Sequence, residues 1–162
     1  MIIPADFTNS RVIDLLQYHA AQAANNTAPG SSHALDLSGL TAPDVSVWTL
    51  WEGDDLAGVG ALKTLSPTHG EIKAMHVVKS RRGAGLGGKI LEHIISEART
   101  RRLSRLSLET GAWPFFEPAW ALYRRHGFVE CEPFGDYLLD PNSLFFTREV
   151  TADPATAGSL PG

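Results

Sequence analysis

Apolar positions fall into separate blocks, some at helical spacing and some alternating, and their order predicts one mixed α/β domain. Val12, Leu15, Leu16 and His19 share one helix face, and Thr8, Asn9 and Ser10 offer caps for a helix starting near Arg11. Residues 1–3 read as a short edge strand that Pro4 ends. Residues 25–32 read as a loop, and 34–40 as one further helical turn before Pro43. Strands at 45–51 and 56–65 flank the turn Glu52-Gly53-Asp54-Asp55, which is a hairpin signal. A third strand follows at 71–78. The next block, 86–100, is helical, with Leu86, Ile90, His93, Ile94 and Ala98 along one face. A strand at 105–109 precedes a helix at 118–126, which Pro118 suits at its first turn and Gly127 at its C-terminal cap. Strands at 128–131 and 144–150 complete the pattern.

At 162 residues the chain fits a single domain, expected over 1–150, with a small, polar, Pro/Gly-rich tail at 151–162 expected to be disordered. A formal net charge of −4 argues against nucleic acid as a partner. No stretch approaches the roughly 18 apolar residues of a membrane span, and the N-terminus lacks a secretory pattern. The expected location is therefore the cytoplasm, with no membrane partner. Cys131 is the single cysteine, and the six histidines lack metal-ligand spacing, so no metal is expected.

The cationic residues crowd between Lys79 and Arg105, with Arg81, Arg82 and Lys89 flanking a glycine-rich turn. That turn, Arg82-Gly83-Ala84-Gly85-Leu86-Gly87-Gly88, follows an apolar strand and opens an amphipathic helix. Glycine allows a sharp turn and close approach of a ligand to the main chain. The first amides of the helix have no internal acceptor and form a natural anion site. The motif is neither a nucleotide P-loop nor the Rossmann pattern, and a purely structural turn is the alternative reading.

The turn, with the strand Met75-His76-Val77-Val78 before it, resembles the most diagnostic motif of the GNAT superfamily of N-acetyltransferases. Leu122-Tyr123-Arg124-Arg125-His126-Gly127-Phe128 resembles a second motif of that family. The similarity covers roughly 45–150 well and the N-terminal third loosely. The segments at 106–111 and 133–137 look like a bacterial branch of small acetyltransferases. The resemblance implies a mostly antiparallel central sheet flanked by helices on both faces, and acetyl-CoA as co-substrate. It also implies acetyl transfer to a primary amine of a small molecule or amino acid. A protein lysine or N-terminus, or a non-catalytic acyl-CoA-binding regulator, are the alternatives. A homodimer is a further implied possibility.

Residue by residue, the strand bearing Met75, His76 and Val77 would splay after a bulge and pair its main chain with the pantetheine arm. The amide near Val77 would polarise the thioester carbonyl. The amides of Gly83, Ala84, Gly85, Leu86, Gly87 and Gly88 would hold the pyrophosphate, helped by Arg82. Tyr123 would protonate the leaving thiolate. Where many members carry an asparagine before the Leu-Tyr helix, this chain reads Phe116-Glu117-Pro118-Ala119.

Glu71 leads as the general base, because simple alternation puts it on the face of Val77, six residues on, and because Glu-Ile matches a motif of the histone-acetylating branch. The alternative is a solvent-exposed carboxylate at a strand end. Glu109 is second. His76 is disfavoured, since alternation sends it to the other face. Ser32, His33, Trp48 and Trp113 are candidates to line the acceptor pocket.

Overall fold

A computed structural model describes residues 1–150; the expected tail lies outside the described residues. The sheet has seven strands: β1 (Ile2–Pro4), β2 (Val45–Glu52), β3 (Asp55–Ser66), β4 (His69–Val77), β5 (Arg105–Gly111), β6 (Val129–Cys131) and β7 (Ser143–Glu149), in the order β1-β2-β3-β4-β5-β7-β6. Every neighbouring pair is antiparallel except β4–β5. Helices α1 (Ser10–Asn25) and α2 (Leu37–Leu40) cover one face; α3 (Leu86–Thr100) and α4 (Glu117–Arg125) cover the other. No helix among the described residues is long and apolar enough to cross a membrane.

Two cores sandwich the sheet. Val12 and Leu16 of α1 meet Val47, Val59 and Ala61. On the far side Ile90, Leu91 and Ile94 of α3 meet Leu62, Ile72 and Leu106, and Tyr123 of α4 joins them. The helix ends follow local chemistry. Asn9 caps α1 by accepting from the Arg11 amide at 2.9 Å. Asp36 caps α2 at the Gly39 amide. Gly127 (φ +85°) ends α4 in the left-handed conformation that glycine adopts without strain.

The functional region follows from one irregularity in β4. Opposite Val59 and Ala61 of β3 stand His76 and Lys73, so β4 carries one residue too many over this stretch. Ala74 takes it up at φ +55°, a bulge. The extra residue flips the side-chain parity of everything beyond it. Glu71 pairs with Lys63, Lys73 with Ala61 and His76 with Val59, all on the α1 face, whereas Val77 pairs with Gly58 on the α3 face. The alternation expected from sequence is therefore overturned. Glu71 does not share a face with Val77; it shares one with His76.

Beyond the bulge β4 also leaves β5. Their parallel pairing covers His69, Gly70 and Glu71, opposite Arg105, Leu106 and Ser107. Past that point β4 follows β3 while β5 runs on with β7 to Gly111.

Candidate active site

The gap between the diverging strands holds unpaired main chain. The Val78 amide donates to the Ala57 carbonyl across β3 at 2.8 Å. Backbone groups alternate sides along a ladder, so the N–H and C=O of Val77 point into the gap. Arg82 Nε donates to the Val77 carbonyl at 3.0 Å, which anchors that guanidinium at the mouth of the gap and leaves the Val77 amide.

The glycine turn crosses the same opening. Gly83 (φ +88°) and Gly85 (φ +78°) bend the chain through the left-handed region, and Gly85 stands directly before α3. The first intrahelical bond runs from the Lys89 amide to the Gly85 carbonyl, so the amides just before it lack helical acceptors. Gly83, Gly85, Gly87, Gly88 and Arg82 line a groove of about 440 Å³ that continues along Met75, His76 and Val77 to Tyr123. Leu86 also lines it, with its side chain buried in the core. Ala84 is exposed at the tip of the turn and lines neither cavity described here. Arg125 adds a cation on the α4 side. Arg81 also lines the groove, but its guanidinium is bound to Glu52 at 2.7 Å and Asp55 at 2.6 Å. Free amides at a helix start, a guanidinium and an unpaired strand fit a pyrophosphate ligand with an extended, amide-bearing arm.

A second cavity, of about 120 Å³, lies on the α1 face and opens into the groove. Met75, Phe116, Ala119 and Tyr123 belong to the walls of both. Ser32 and His33 line it, as expected from sequence. The two tryptophans do not. Trp48 is buried in the core beside His93, and Trp113 sits at the surface with its N–H on Asn142. Thr27, Lys73 and Glu109 complete much of the polar wall.

The carboxylates of Glu71 and Glu109 sit differently. Glu71 is 3% exposed and lines neither cavity. Its Oε2 accepts from Lys73 Nζ at 3.1 Å and from the Tyr137 hydroxyl at 2.5 Å, and Lys73 also donates to that hydroxyl at 2.9 Å. Tyr137 is held by edge-on packing with His33 and Phe134. Burial and the Glu71 charge push its phenol pKa far above the ordinary value, so it stays a donor. Glu109 is half-buried in the cavity wall, where its Oε2 accepts from the Ser143 hydroxyl at 2.8 Å. Burial is the largest influence on it and raises its pKa.

Tyr123 stands at the junction of the cavities, its ring packed against Phe128 and Phe146. Burial, and then the Glu109 charge, raise its phenol pKa, so the hydroxyl stays protonated through neutral pH. His19 and His76 meet Nδ1 to Nδ1 at 3.1 Å on the groove wall, and burial lowers both to about 4. Both rings are neutral near pH 7.

Sequence reasoning missed Lys73 and Thr27; the bulge that the resemblance implied before the splayed strand falls at Ala74. The run Glu71-Ile72-Lys73, with opposite charges two apart on a strand, was the readable signal for the ion pair.

Among solved structures, a Klebsiella pneumoniae protein described as an acyl-CoA N-acyltransferase superposes with a TM-score of 0.79 at 28% identity, covering 93% of this chain and 97% of that one. A GNAT acetyltransferase from Elizabethkingia anophelis, solved with acetyl-CoA bound, shares the fold (TM-score 0.67, 18% identity, 92% and 97% coverage). An uncharacterised N-acetyltransferase of Bacillus subtilis, YsnE, is 47% identical over 145 residues, which is 90% of this chain and 96% of that protein. The model of the acetyltransferase (GNAT) family matches residues 14–128, spanning both the splayed strand and the tyrosine helix, and the chain belongs to that family.

Proposed function

We propose that the protein transfers the acetyl group of acetyl-CoA to a primary amine of a small molecule by direct attack on the thioester. The observation that carries this reading is the junction at Met75, Ala119 and Tyr123, where a groove suited to the donor meets a small polar cavity suited to an amine. In this reading the amides at 83–88 and Arg82 hold the pyrophosphate. The amide of Val77 donates to the thioester oxygen as negative charge develops there, an interaction that typically lowers a barrier by about 2.7–4 kcal/mol.

Glu109 takes the amine proton, directly or through water, since its carboxylate lines the amine cavity while that of Glu71 is spent on Lys73 and Tyr137. The C–N bond forms, the C–S bond breaks, and the thiolate takes its proton from the Tyr123 hydroxyl. Glu71 and Tyr137 then serve to hold Lys73 in the cavity wall.

The test is thiol release from acetyl-CoA with a panel of small primary amines, for the wild type and Glu109→Gln. A general base is typically worth about 10²–10⁴-fold, so Glu109→Gln should lose that much turnover while binding CoA normally. The acid limb of the wild-type rate profile should lie above the ordinary carboxylate range, because burial raises Glu109, and the variant should lack it. An unaltered profile in the variant removes Glu109 from the role. CoA binding without thiol release on any amine favours a regulatory protein.

A further inference from the structure

The small cavity also carries information about its occupant through its balance of charge. Lys73 is the cation nearest to a carboxylate ligand's needs, but its three N–H groups already have acceptors. They are Glu71 Oε2, the Tyr137 hydroxyl, and the His33 carbonyl at 3.4 Å. An ammonium has three donors and no more. Lys73 therefore answers the buried charge of Glu71 and has nothing left for a ligand.

Glu109 is in the opposite condition. It accepts the neutral Ser143 hydroxyl and has no ion-pair partner among the described residues. Among the described residues no arginine lines the cavity. The cavity thus keeps one carboxylate without an ion-pair partner, which Lys73 and His33 influence only through space, and much of its remaining polar wall is hydroxylic. Thr27, Ser31 and Ser32 line it, and the buried Thr27 hydroxyl has no hydrogen-bond partner in the protein. The space is small, about 120 Å³, and suits the reacting end of a very small amine.

We infer that the acceptor is a small aliphatic amino alcohol, whose ammonium is the counter-charge of Glu109 and whose hydroxyl meets the Thr27–Ser32 wall, and not an amino acid. This rests on the acetyl-transfer reading above. A carboxylate on the carbon next to the amine would stand within a few ångströms of Glu109 with no free cation to offset it, and like charges that close disfavour each other. Two other basic side chains border this cavity: His33 packs its ring edge-on against Tyr137, and His19 meets His76 through Nδ1 and is kept neutral by burial.

The experiment uses matched pairs that differ only in the group at issue: ethanolamine against glycine, and alaninol against alanine. Each is titrated by calorimetry into the full-length protein saturated with CoA, and each is assayed for thiol release from acetyl-CoA. The alcohol of each pair should bind at least tenfold more tightly and show the higher kcat/KM. In Glu109→Gln the preference should shrink toward unity. Equal or tighter binding of the amino acids overturns the inference, as does failure of all four to bind a protein that binds CoA. Failure to bind CoA itself is a separate result, which overturns the acetyl-transfer reading and this inference with it.

Discussion

Gly111 lies at the end of β5 and carries no side chain because the ring of Phe116 occupies that space. A methyl group added there would stand 2.8 Å from Cζ of Phe116 and closer still to Cε2 and Cδ2. Moving the ring aside would break its local contacts. It packs edge-on against Phe115, and the 3-10 turn that carries it (Pro114–Phe116) is closed by the Phe116 amide donating to the Trp113 carbonyl at 2.9 Å. The Gly111 carbonyl in turn accepts from Trp120 Nε1 at 2.9 Å, tying β5 to α4. Overpacking of this kind costs about 1–3 kcal/mol. For a chain of this size each kcal/mol lowers the melting temperature by about 2–4 °C, so Gly111→Ala should lose about 2–12 °C. Phe116 borders both cavities, so the same variant should raise KM for donor and acceptor. Calorimetric melting and CoA titration read both effects. Adding Phe116→Leu in the same chain should recover part of the lost stability, because the clash is pairwise and the two sites couple. A Gly111→Ala protein with wild-type melting temperature, or a double variant with strictly additive losses, would refute the argument.

Two further outcomes follow from the site. Tyr123→Phe keeps the ring contacts with Phe128 and Phe146 and should leave the melting temperature within a few degrees, while turnover falls at least tenfold with CoA affinity unchanged; unchanged turnover removes the phenol as the acid. The His19–His76 pair makes stability depend on acid. Both rings titrate near 4 in the fold against 6.5 unfolded, so the folded state binds fewer protons and its stability rises with pH. Urea titrations should show that contribution intact above pH 6.5 and lost as pH falls toward 4, by at most about 3 kcal/mol per ring at about 1.36 kcal/mol per pKa unit. His19→Asn with His76→Asn should flatten the dependence, and an equally steep wild type and variant would sink the assignment.

The elements were largely legible in the sequence because periodicity and capping are local. The helix at 86–100 has the bounds expected, and Gly127 closes α4 in the left-handed conformation. The glycine turn was legible for the same reason, as strand, glycines and helix are contiguous. The base was harder to read. Strand alternation assumes a regular ladder; the resemblance implied a bulge, but its place at Ala74, between Glu71 and Val77, is set by pairing with β3, so the alternation was counted straight across it. Glu71 and Glu109 each looked like a carboxylate on a strand. What separates them is long-range: Tyr137, 66 positions further on, donates to Glu71, whereas Ser143 is the protein partner of Glu109. The tryptophans misled for a related reason, since an aromatic at a strand position reads the same whether it faces a cavity or, like Trp48, the core.

The bulge and the divergence of β4 from β5 have a consequence for solubility. An unpaired strand edge normally recruits other chains, and proteins protect such edges with charges, bulges or cover. Here the edge is internal. β5 walls it on one side, the glycine turn and Arg82 stand at its mouth, and Phe116 and Leu122 narrow the approach. A thin, linear ligand can reach the Val77 amide through that slot. A second polypeptide strand, with side chains projecting to both faces, cannot. The fold thus keeps an adhesive backbone edge open for use while denying it to neighbouring molecules.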